Sequence, residues 1–72
     1  MPYINVRLTR GPLSADTKRE IIRRITSVFV DLLDKDPETT FVVIDQIDPE
    51  DWGVGGSTVA DRRLARRAGE RG

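Results

Sequence analysis

Seventy-two residues without a cysteine or a histidine exclude disulfide staples, the usual zinc sites and Cys/His nucleophiles. Twelve basic side chains balance twelve acidic ones, which argues against a general nucleic-acid binder, a class that is basic overall. A single domain this short buries a small core and is marginal alone, so oligomerisation is the remaining route to stability.

No apolar run is long enough for a membrane span, and nothing resembles a signal peptide. A soluble, cytoplasmic protein is expected, with no membrane or nucleic-acid partner. The charge is unevenly spread. Residues 34–51 carry seven acidic side chains and one basic, while residues 52–72 carry five basic and two acidic. Such a split suits an acidic segment of one protomer meeting a basic one of another, and equally a solvated surface.

The chain opens "MPYINV". Methionine before a small residue is normally trimmed, and Pro2 then becomes the amino terminus with a secondary amine. An α-amino group titrates near ~7.7–8.0 and exchanges protons around neutral pH. Read plainly, Pro2 is a stiff strand starter.

"YINVRLT" alternates, with Ile4, Val6 and Leu8 on one face, which predicts a half-buried strand over 3–9. "RGPL" breaks it. Ser14 is placed to cap a helix, with Asp16 in the first turn. Ile21, Ile22, Ile25, Val28, Phe29, Leu32 and Leu33 recur at three and four, one apolar stripe on a helix of about five turns. "DKDPE" ends it, because Pro37 disfavours helix before it.

"FVVIDQI" is nearly continuously apolar and β-branched, as in a strand covered on both faces. Strand, helix and strand with short connections make a βαβ unit with parallel strands. "GVGG" and "STVA" follow, the latter read as one short hairpin arm. "DRRLARRAGERG" has too few apolar residues to define a core face, and about 64–72 is expected to be a flexible tail. One helix cannot cover both faces of the second strand, and two strands are too few for independent stability. Other protomers must supply the missing surface.

The amino-terminal Pro2, the βαβ unit and "DWGVGG" after the second strand together resemble the 4-oxalocrotonate tautomerase family, over about residues 2–63. The resemblance implies an α+β protomer, β-α-β with a C-terminal β-hairpin. It also implies sheets shared in dimers, three dimers in a homohexamer, and active sites at subunit boundaries around the terminal proline. Neither a cofactor nor a metal is expected.

On that resemblance Pro2 is the general acid/base for small 2-keto acids in enol or dienol form. Trp52 matches a pocket-lining aromatic, and Leu8, Ile47 and Val54 would form apolar wall, though each is as easily plain core. Thr39 matches a substrate-contacting position, and the Thr9 backbone is placed to donate where the strand ends. Two departures stand out. The best-known members carry arginine where this chain has Pro12 and Phe41. Arg10, just before Gly11, is the candidate replacement for gripping a substrate carboxylate. Arg62 and Arg63 read as tail charge able to reach a neighbouring site.

Three other functions remain open. One is hydration or dehalogenation of an unsaturated acid, with Glu50 or Asp51 activating water. Another is a non-catalytic subunit of a tautomerase-like oligomer. The third is RNA or partner binding through "RRLARR".

Overall fold

The computed structural model describes residues 1–71. Strand β1 runs Tyr3–Thr9 and β2 runs Phe41–Ile47, both over the residues that the apolar patterning marks. They pair in parallel, from Tyr3 opposite Phe41 to Thr9 opposite Ile47. The ladder extends past both ends. The Phe41 amide donates to the Pro2 carbonyl at 2.9 Å, and the Arg10 amide donates to the Ile47 carbonyl at 2.6 Å.

Helix α1, Ala15–Leu33, connects the strands. Ser14 caps it, its Oγ accepting from the Thr17 amide at 3.1 Å. The helix stops at Leu33, four residues before Pro37. Asp34 turns left-handed (φ 51°) and its amide donates to the Val30 carbonyl at 3.1 Å. Pro37 instead opens a 3₁₀ turn, Pro37–Thr39, whose Glu38 amide is capped by the Asp36 carboxylate at 3.0 Å.

After β2, a second 3₁₀ turn, Pro49–Asp51, leads into a hairpin of β3 (Gly53–Val54) and β4 (Ser57–Thr58), paired antiparallel. Its two turn residues, Gly55 (φ 59°) and Gly56 (φ 87°), both hold the left-handed conformation that such tight turns demand.

The chain then corrects one expectation. The segment expected as a flexible tail over about 64–72 lies, as far as Arg71, within helix α2 (Val59–Arg71), and Val59–Ala60 belongs to this helix rather than to a hairpin arm. Thr58 Oγ1 accepts from the Asp61 amide at 3.0 Å, an N-cap bond, and Asp61 sits in the first turn. The arginine, alanine and leucine that follow favour helix without needing an apolar stripe. The expectation for residue 72 lies outside the described residues.

The single chain is extended. Its radius of gyration is 16.6 Å, against about 11 Å for a compact chain of this length. Among the described residues none is fully enclosed. β2 is covered by α1 on one face only, so Phe41 and Val43 on the other remain exposed, as do Val28, Leu32 and Leu33 on the helix. Coverage of both strand faces therefore does not exist within one copy.

Candidate active site

The site residues named from sequence divide into two groups at opposite ends of the β1–β2 sheet. Pro2 and Thr39 stand at the end where the strands begin. Pro2 is half-buried, its carbonyl held by the bond from the Phe41 amide. Thr39 lies two residues before Phe41, with its Oγ1 donating to the Asp36 carbonyl at 3.3 Å. With Met1 attached, the Pro2 nitrogen is an amide.

Leu8, Thr9, Arg10, Ile47, Trp52 and Val54 gather at the far end. Eight residues of extended chain separate Pro2 from Arg10, about 26 Å at ~3.3 Å per residue. One copy therefore does not bring Pro2 together with Arg10 or Trp52.

The far end is a structured surface. Ile47, Trp52, Arg7, Asp51 and Gly53 line a recess of about 420 Å³. Trp52 is half-buried, and its carbonyl accepts from the Val59 amide at 2.8 Å, which ties the start of α2 to the Trp52 backbone. Leu8 points to the α1 side and lines a different hollow with Pro12, Leu13 and Gln46. Val54, on the hairpin, is exposed.

The guanidinium groups here differ in what they already hold. Arg10 Nε lies 2.6 Å from Asp48 Oδ1, and Nη2 donates to the Gln46 carbonyl at 3.3 Å. Its charge is thus compensated by a carboxylate. Arg7 Nη2 lies 3.5 Å from Asp45, which also accepts from the Asn5 amide group at 3.0 Å. Arg62 Nε donates to the Val54 carbonyl and to Ser57 Oγ, both at 3.1 Å, and so braces the hairpin. Arg63 Nη2 donates to Thr9 Oγ1 at 2.9 Å. Neither Arg62 nor Arg63 is loose tail charge. The Thr9 side chain, not only its backbone, takes part, which the sequence alone does not signal. Among the described residues no group of three or more acidic, His or Cys side chains converges as a metal ion requires.

The family model for tautomerase enzymes matches residues 2–62, beginning at Pro2 itself. The chain belongs to the tautomerase family. It is 41% identical over 63 residues to probable tautomerase K2 of Dickeya dadantii, across 88% of this chain and 94% of that protein. Among solved structures, it superposes with a TM-score of 0.81 at 32% identity on TomN, a 4-oxalocrotonate tautomerase homologue of the tomaymycin biosynthetic pathway. That match covers 88% of this chain and 95% of the other. A 4-oxalocrotonate tautomerase isozyme of Methylibium petroleiphilum gives the same TM-score, 0.81, at 31% identity, over 89% and 98% of the two chains. The β-α-β fold with a C-terminal hairpin is thus the family's, and tautomerase-type function comes with membership.

Proposed function

We propose that this tautomerase uses Pro2, freed by removal of Met1, as the acid–base group acting on enol or dienol forms of small 2-keto acids. The family match that starts at Pro2 carries this reading. The neutral amine takes the proton from the enol hydroxyl. The charge left behind spreads along the conjugated oxygen–carbon chain, and the ammonium returns a proton to a carbon of that chain. An O–H bond breaks, a C–H bond forms, and nothing is oxidised. One group can do both halves only if it titrates near working pH, as an α-amine does.

The developing negative charge needs fixed donors and a cation. These stand at the strand end with Thr9, Arg10 and Trp52, far from the same copy's Pro2. The pocket of one Pro2 is therefore completed by the strand end of a second copy, and the working unit is a homo-oligomer, with a hexamer expected. The uncovered Phe41 and Val43 support an obligate partner surface.

Intact mass and kinetics test the assignment together. Protein made in cells should lack Met1, and its rate of phenylpyruvate enol–keto conversion should rise with pH as the amine deprotonates. Pro12 and Phe41, where family arginines stand, favour a second reading as a non-catalytic subunit. A trimmed protein with no activity over buffer would select it.

A further inference from the structure

We infer that Arg63, carried on α2, is the side chain that grips a substrate carboxylate at the strand end. The assignment rests on the tautomerase reading and gives the carboxylate grip to Arg63 in place of Arg10, its neighbour at the strand end. Three observations converge. Arg63 Nη2 reaches Thr9 Oγ1 at 2.9 Å, where β1 ends. Thr9 is the register partner of Ile47, which lines the recess that contains Trp52. The bond from the Val59 amide to the Trp52 carbonyl ties the start of α2 to the backbone of Trp52, and Arg63, one helical turn beyond Val59 on the same face, lines a separate hollow with Val59, Arg62, Ala65 and Arg66 from which its guanidinium reaches the strand end.

Competition among the nearby cations favours it. Arg10 spends its charge on Asp48, and Arg62 spends its Nε on the hairpin. Arg7 faces Asp45. The described contact of Arg63 is to a neutral hydroxyl, which uses one of five N–H donors and leaves the charge uncompensated. A planar fork able to make two parallel bonds is what a carboxylate selects. The favoured ligand is a planar, conjugated carboxylate, its chain on the indole and its anionic end on α2.

Binding without turnover tests this separately from catalysis. The chain has a single tryptophan, so Trp52 emission reports the recess. The probe is cis,cis-muconate, which has neither keto nor enol group to tautomerise, and its dimethyl ester is the uncharged control. Wild-type protein should give a saturable response to muconate. Arg63→Ala should weaken muconate binding about ten- to a hundred-fold, the loss of a charged hydrogen-bond partner. Arg63→Lys should fall between the two, and the ester should bind wild type and Arg63→Ala equally. Arg67→Ala removes the same charge from the same helix and should change muconate binding less than about twofold.

Muconate affinity in Arg63→Ala within twofold of wild type would overturn the assignment. So would an equal loss in Arg67→Ala, or no saturable response in wild type. Circular dichroism and oligomer size, checked in each variant, separate lost binding from lost folding. Muconate binding intact in a protein without tautomerase activity would sink the catalytic reading and leave this one standing.

Discussion

At the scale of single residues, Glu20 shows how local charge enters stability. It accepts from Arg23 and from Arg24 Nε, and these guanidinium bonds hold its carboxyl at about 2, below the ordinary 4.5. The unfolded chain lacks them. Between pH 4.5 and 2 the unfolded state therefore binds more protons, and the contribution of Glu20 is present above 4.5 and lost as pH falls toward 2. Urea midpoints across that interval should decline more steeply in wild type than in Glu20→Gln, and added salt should shrink the difference because the group is solvent-facing. Parallel declines would show the cluster contributes nothing. Gly55 makes the opposite case, a residue without a side chain. At φ 59°, an added Cβ would lie 2.6 Å from Arg62 Nη2. Gly55→Ala should cost about 1–2 kcal/mol in backbone strain alone and loosen the hairpin brace. An unchanged thermal midpoint would contradict that.

Among the elements, β1 is legible in sequence from period-two alternation, and β2 from a short β-branched run bounded by prolines, although one copy covers only one of its faces. The start of α1 is legible too, since Ser14 stands directly before the apolar stripe. Its end is not. Asp34 in a left-handed cap leaves no glycine to mark it, and Pro37, the visible breaker, lies three residues on. Asp34→Gly should relieve strain, raising stability by about 0.5 kcal/mol once the greater freedom of unfolded glycine is subtracted. Ser14→Ala should lower it by about 1 kcal/mol. Urea titration of both variants checks the two signs. Helix α2 escapes the sequence reading because it lacks an apolar stripe and depends on the Thr58 cap and residue propensity. The Arg63–Thr9 contact escapes it for another reason: it joins positions 54 apart, and no local pattern encodes that meeting.

The whole molecule is governed by surface that one copy cannot cover. Phe41 and Val43 stand exposed on the sheet face away from α1, with Leu32 and Leu33 uncovered at the helix end. Fully burying an exposed large apolar side chain yields about 1.5–3 kcal/mol, so covering even the exposed parts of these four adds several kcal/mol per copy, comparable to the marginal stability of a small domain. Val43→Asp should shift sedimentation at micromolar concentration from an oligomer to smaller or unfolded species. Wild-type protein sedimenting as a folded monomer would contradict the account, because the strand-end group and Pro2 would then never meet.

The central claim is that the amine of Pro2 carries the chemistry. Its most direct test compares phenylpyruvate tautomerisation by trimmed protein with that by protein blocked before Pro2. A glutamate inserted after Met1 keeps the methionine in place and the Pro2 nitrogen an amide. Oligomer size is measured in both, so that a lost assembly is not mistaken for a lost amine. Activity is expected in the trimmed protein and its loss in the blocked one, with the assembly unchanged. Equal rates in the two would contradict it and leave Pro2 as the residue that starts β1.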